Sequence, residues 1–110
     1  MPANDKPVLI YGTFASPEEA RRIGGDLVDR QMAACVNILA PITSLYVWQG
    51  KREEAAETPM LIKTREALAE AVIAHVRGQH SYDNPALVVL PVAGGSADFL
   101  AWIAAQTGGG

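Results

Sequence analysis

Ala33-Ala34-Cys35-Val36-Asn37-Ile38 opens an extended arm that continues through Thr43-Ser44-Leu45-Tyr46-Val47-Trp48, turns at Gln49-Gly50-Lys51 and returns along Met60-Leu61-Ile62-Lys63-Thr64. Each arm spans about 15 residues, where a strand in a globular protein usually has about 5 to 6. A small domain cannot cover a hairpin of that length. Its tip carries Tyr46 and Trp48, amphipathic aromatics enriched in interface cores. The overhang therefore predicts an oligomer in which another copy of the chain lies against Tyr46 and Trp48.

On the N-terminal side, Pro7-Val8-Leu9-Ile10-Tyr11 is a short apolar run that reads as a central strand, buried on both faces or covered by helices. Ser16-Pro17-Glu18-Glu19 then sets a hydroxyl at the N-cap, proline at the first helical position and a glutamate able to bond back to the cap amide. The helix should run to about Gln31, with Ala20, Ile23, Leu27 and Val28 at helical spacing and Gly24 and Gly25 allowing close packing on a sheet. Beyond the hairpin, Thr64 can cap a second helix carrying Leu68, Ala71, Val72 and Val76 and ending at Gly78. Leu87-Val88-Val89-Leu90, bracketed by prolines, fits a buried strand, and a short C-terminal helix follows with Phe99, Trp102 and Ile103 on one face.

The order β-α-β-β-α-β predicts an α+β, ferredoxin-like sandwich with two helices on one face of an antiparallel sheet, a long hairpin and a short C-terminal helix. The other face is left open, and closed homo-oligomers are the usual way to bury such a surface. Residues 1–107 are expected to form one domain and residues 108–110 a disordered tail. The 110 residues, 49% of them hydrophobic, suffice for one core without metal or disulfide. A net charge of -3, dispersed along the chain, gives no basic field for nucleic acid or an anionic membrane. A single cysteine, no leader pattern and no bilayer-length apolar run point to a cytoplasmic protein.

Several of these motifs occur together and in register: Ala33 to Ile38, Thr43-Ser44-Leu45-Tyr46 with Trp48 and Gly50-Lys51, Ile62-Lys63-Thr64, and His80-Ser81-Tyr82-Asp83 before Leu90-Pro91-Val92. In that order and spacing the chain closely resembles the CutA family, the divalent-cation tolerance proteins, from about Val8 to Trp102. The resemblance implies a ferredoxin-like homotrimer whose long hairpins pair between subunits, similar in architecture to PII signalling proteins. It also implies a part in the response to metal ions, with copper binding in some members and, in other relatives, a link to membrane anchoring of a separate enzyme. Some members carry paired histidines where this chain reads Gln79-His80, and a cysteine where it reads Tyr11-Gly12-Thr13. Two of the three copper ligands that the resemblance implies are thus absent, and Ser81 and Asp83 stand where the family has proline and glutamate.

Copper and zinc favour imidazole and thiolate donors, which here are His75, His80 and Cys35. His75, three residues after Val72, reads as a packing residue. Cys35 reads as a small buried hydrophobe with no nearby cause of reactivity. His80, just beyond the second helix, is the candidate metal residue. Lys63 interrupts an apolar run and, with Tyr82 and Asp83, could line an inter-subunit cleft for a small anionic or zwitterionic ligand. Glu53, Glu54 and Glu57 read as solvated edge-guarding charges. No phosphate loop and no paired acid and base in a pocket single out a reaction. The expected function is that of a non-enzymatic trimer of divalent-cation tolerance, requiring no cofactor, with copper or another divalent cation as candidate ligand at His80. The alternative is a PII-like signalling or docking trimer that binds a small ligand or protein through Lys63, Tyr82 and Asp83.

Overall fold

In the computed structural model, which describes residues 5–108, a single 15-residue strand organises the sheet. Among the described residues there are five strands: β1 (Pro7–Phe14), β2 (Cys35–Ile38), β3 (Ile42–Trp48), β4 (Lys51–Arg65) and β5 (Leu87–Pro91). The helices are α1 (Pro17–Asp29), α2 (Ala69–Gln79) and α3 (Ala97–Gln106). The main sheet is antiparallel in the order β2-β4-β1-β5, and β3 pairs with the distal half of β4. This is the ferredoxin-like arrangement expected from the element order.

The outgoing arm is not one strand. Register runs Ile38↔Met60 in β2 and resumes at Ile42↔Glu57 in β3, so three residues, Leu39, Ala40 and Pro41, face two on β4, Thr58 and Pro59. The extra residue makes this a bulge, and neither proline has an N–H to give to a ladder. Only the Leu39 N–H bridges the break, to the Pro59 carbonyl at 3.0 Å. Beyond it, β3 and the first half of β4 form a two-stranded ribbon closed by Gln49 (φ 51°) and Gly50 (φ 78°), both left-handed as a two-residue hairpin loop requires. The ribbon stretches the molecule to 47 × 26 × 23 Å.

Val8, Ile10 and Phe14 of β1 and Met60 and Ile62 of β4 point to one face and pack with Ala20, Ile23 and Leu27 of α1 and Val72 and Val76 of α2. Ser16 caps α1 by accepting from the Glu19 N–H at 3.1 Å, as its sequence predicts, but the Glu19 carboxylate accepts from the Ala15 N–H rather than from the cap residue's own amide. The two adjacent glycines separate. A Cβ on Gly24 would meet Met60 Sδ at 2.7 Å and Val36 Cγ2 at 2.9 Å, whereas nothing lies within 4 Å of one on Gly25.

Three expectations need correction. Thr64 does not cap a helix: it lies in β4, and its hydroxyl donates to the Met32 carbonyl at 2.7 Å. A 3-10 turn, Glu66–Leu68, leads into α2, and the Asp5 carboxylate accepts the Ala67 N–H at 2.9 Å while pairing with Arg65. That amide hydrogen bond, followed by the Arg65 guanidinium, holds the Asp5 carboxyl below its ordinary pKa despite burial. Second, β5 is not buried. It is an edge strand beside β1, and Val88, Val89 and Leu90 remain 40 to 51% exposed. Third, the open face is partly covered, because α3 lies over its end: Arg65 of β4 bonds the Thr107 hydroxyl at 3.0 Å and carbonyl at 2.8 Å, and Ile103 is buried. Gly108 closes the last turn of α3 through its N–H to the Ala105 carbonyl, and the rest of the expected tail, residues 109–110, lies outside the described residues.

The glycine pair tests this packing directly. Gly25→Ala should stabilise the fold by about 1 kcal/mol, the ordinary helix propensity gain. Gly24→Ala should lose roughly 1 kcal/mol net, because overpacking costs about 1–3 kcal/mol against that same gain. Urea unfolding of the two variants should show midpoints shifted in opposite directions.

Candidate functional site

The His80-Ser81-Tyr82-Asp83 turn follows α2 and is held from below by its histidine. The His80 ring is fully buried and stacks on Phe14 with centroids 4.9 Å apart. Its Nε2 is 2.8 Å from the Thr13 carbonyl, which can only accept, so Nε2 carries a proton. Nδ1 accepts the Tyr82 N–H at 3.0 Å and is therefore unprotonated. Glu19 Oε1 lies 3.8 Å from Nδ1. Burial opposes ionisation of Glu19, but hydrogen bonds from Ser81 and Ala15 outweigh it and lower its pKa. In this arrangement both ring nitrogens of His80, the expected metal residue, are engaged in hydrogen bonds within the chain. Among the described residues no three His, Cys, Asp or Glu side chains converge as a metal site would need.

Tyr82 and Asp83, in contrast, do meet other chemistry. A cavity of about 590 Å³ opens between this turn and the base of the ribbon, lined among others by Thr13, Ser44, Tyr46, Trp48 and Glu57 together with Tyr82 and Asp83. Side chains opposite one another on paired strands share a face. The register Ile42↔Glu57, Ser44↔Ala55 and Tyr46↔Glu53 therefore puts Ser44, Tyr46, Trp48 and Glu57 on one side of the ribbon. Leu45 and Val47 point to the other, at 58% and 70% exposure. Burial pushes the Tyr82 hydroxyl pKa up, and the charge and hydrogen bonding of Glu57 push it further.

Lys63 does not join them within the chain. It shares the sheet face of Glu57 but lies six residues further along β4, roughly 20 Å at strand rise. Its ammonium sits over the Phe99 ring of α3, 5.2 Å from the centroid. Cys35 is directly opposite Lys63 in register and only half-buried, on the face away from α1 and α2, so it is not the core residue that its apolar neighbours suggest. His75 is not a packing residue either. Its Nε2 is 2.6 Å from Asp26 Oδ2 of α1, which also accepts from Gln79 at 3.0 Å, while Asp26 Oδ1 accepts from Arg30 at 2.9 Å. Hydrogen bonds from Gln79 first, then His75 and Arg30, hold the Asp26 carboxyl far below the usual carboxylate range.

Glu57 was hidden in the sequence among exposed carboxylates, and only the bulge and hairpin register separate it from Glu54. Thr13 and Ser44 carried no signal beyond being polar. With this geometry in place, the comparison with known proteins is direct. The model of the CutA1 divalent ion tolerance protein family matches residues 8–106. The chain belongs to this family. The divalent-cation tolerance protein CutA of Pectobacterium atrosepticum is 41% identical over 107 residues, covering 94% of this chain and 97% of that protein. A rice protein named CutA 1, chloroplastic, is 39% identical over 91% of this chain, which spans 56% of the rice protein's length. Among solved CutA structures, the periplasmic divalent cation tolerance protein of Archaeoglobus fulgidus superposes with a TM-score of 0.89 at 40% identity, covering 92% of this chain and 98% of that one. Rice CutA1 does so at 0.90 and 38%, covering 93% and 94%. No helix among the described residues is long and apolar enough to cross a membrane.

Two measurements check the polar clusters. His80→Ala leaves the Thr13 carbonyl and the Tyr82 N–H without partners, and should lower the unfolding free energy by about 3 kcal/mol, at roughly 1–3 kcal/mol per stranded buried group. Asp26 has a depressed folded pKa, so its contribution is fully present above the unfolded carboxylate pKa and is lost as pH falls from about 4. Asp26→Asn should therefore flatten the fall of urea midpoint between about pH 4 and 2.

Proposed function

We propose that this CutA-family chain works as a non-catalytic homotrimer in tolerance of divalent cations. The observation that carries the assembly is the ribbon: Leu45, Val47 and Trp48 are 58 to 70% exposed on an arm that the body of the same chain leaves uncovered. An isolated two-stranded ribbon is marginally stable in water at best, and exposed apolar area of this kind marks an interaction surface. Val88 and Leu90 of β5 extend the same apolar character along the sheet edge. The family resemblance supports three copies. Because the His80 ring is engaged at both nitrogens, we place any copper contact outside it.

A second reading is favoured by the cavity: the trimer senses a small ligand or docks a partner through the Tyr82 and Asp83 turn. This keeps two of the three expected cleft residues and leaves Lys63 to its contact with Phe99.

Light scattering should give a particle of three 11.7 kDa chains. Combining Leu45→Asp and Val47→Asp should reduce that mass and lower the melting temperature, and a monomeric unmodified chain would sink the assembly. In calorimetric titration with copper, His80→Ala should leave the isotherm unchanged. Loss of a saturable phase in that variant would return His80 to the metal role.

A further inference from the structure

We infer that the seam between α1 and α2 binds a nickel(II)- or copper(II)-type ion, with Asp26, His75 and the Gln79 carboxamide as three adjacent ligands and water completing the shell. The inference rests on the divalent-cation reading above and gives it a site.

Its position is independent of the assembly. α1 and α2 pack on the covered face of the sheet, whereas the surfaces assigned to a second copy are the ribbon and the β5 edge. All three ligands come from one chain, His75 and Gln79 one turn apart on α2 and Asp26 across the seam on α1.

The metal-free bonding there carries a conflict. Asp26 Oδ2 is 2.6 Å from His75 Nε2 and 3.0 Å from Gln79 Nε2, and those two nitrogens are 2.8 Å apart. The Asp26 carboxyl stays ionised, so Oδ2 can only accept. If both nitrogens donate to it, two N–H groups meet along the third edge. An unprotonated His75 Nε2 sets its lone pair against the carboxylate, and a reversed amide sets its own oxygen there. Every arrangement leaves like groups opposed on one edge. A cation facing the triangle removes the conflict, because Oδ2, an unprotonated Nε2 and the reversed amide's Oε1 each offer it a lone pair.

The edge lengths also select the ion. Ligands about 2.0–2.1 Å from a metal lie about 2.9 Å apart at right angles and about 3.3 Å apart at tetrahedral angles. Edges of 2.6, 2.8 and 3.0 Å fit the right-angled geometry of nickel(II) and copper(II) rather than the tetrahedron of zinc. Two of the three ligands are an imidazole and a carboxylate, and a neutral carboxamide stands in for the third. Two arginines border the site and oppose a cation. Arg30 Nε donates to Asp26 Oδ1 at 2.9 Å, leaving Oδ2, and Arg22 donates to the Gln79 main-chain carbonyl at 3.3 Å. The Arg30 side chain is 60% exposed, and an ion pair at the surface holds it weakly, so it can turn to solvent.

Calorimetric titration of the assembled protein with nickel(II) chloride tests this. One ion should saturate per chain, and His75→Ala should weaken binding at least about tenfold. Gln79→Glu, which puts a charged oxygen in the same place, and Arg30→Gln, which removes a cation, should each tighten it. A merely destabilised fold would not produce that reversal of sign. No saturation, or binding that His75→Ala leaves unchanged, would overturn the inference. Growth on nickel of sensitive cells lacking a CutA-family protein keeps the two readings apart. Rescue by a chain that shows no His75-dependent binding refutes the site and leaves divalent-cation tolerance, whereas His75-dependent binding without rescue refutes tolerance and leaves the site.

Discussion

Everything in this molecule is referred to one strand. β4 pairs with β1 through its C-terminal half on one edge, with β2 on the other, and with β3 alone through its N-terminal half. Fifteen residues at about 3.3 Å each make a rod of roughly 50 Å, close to the 47 Å long dimension of the described residues. Its inner half is a core element, with Met60 and Ile62 fully buried, and its outer half is exposed except at half-buried Ala55 and Glu57. The same backbone therefore transmits the position of the hydrophobic core to the ribbon tip without a flexible joint on its own side.

Local chemistry was well written in the sequence. Ser16 and Pro17 start α1 where their types demand, and Gln49-Gly50 closes the ribbon in the left-handed geometry that glycine tolerates. What the sequence concealed were relations between distant segments. Pro41 and Pro59 look innocuous apart, and only their juxtaposition across β4 splits the outgoing arm. Asp5, 62 residues from Ala67, supplies the amide partner that Thr64 was expected to supply, because the buried Thr64 hydroxyl is already spent on Met32.

The site shows the same division. The sequence places Tyr82 and Asp83 beyond a helix end and Tyr46 and Trp48 at a hairpin tip as an expected subunit contact, and only the fold brings all four around one cavity. For Lys63, an interrupted apolar run says that a cation is unusual, not where it points; within the chain the strand alternation carries it to α3. For His80, too, the neighbours carry what the sequence alone does not show. A histidine in a polar turn resembles a ligand until its neighbours are known, and here the Thr13 carbonyl and the Tyr82 amide consume both nitrogens. The aromatic and acidic lining of one cavity came from three separated stretches of chain.

The single extra residue between Ile38 and Ile42 has a geometric meaning for any assembly built on the ribbon. A bulge bends its strand and adds local twist, so it sets the angle at which the arm leaves the body. Head-to-tail contacts close into a ring only when the rotation from one copy to the next divides a full circle, and otherwise they run on as an open helix. In that sense Leu39, Ala40 and Pro41 act as a protractor. Lengthening or shortening that segment by one residue changes no contact surface, yet it re-aims the arm and so decides between a finite particle and a filament.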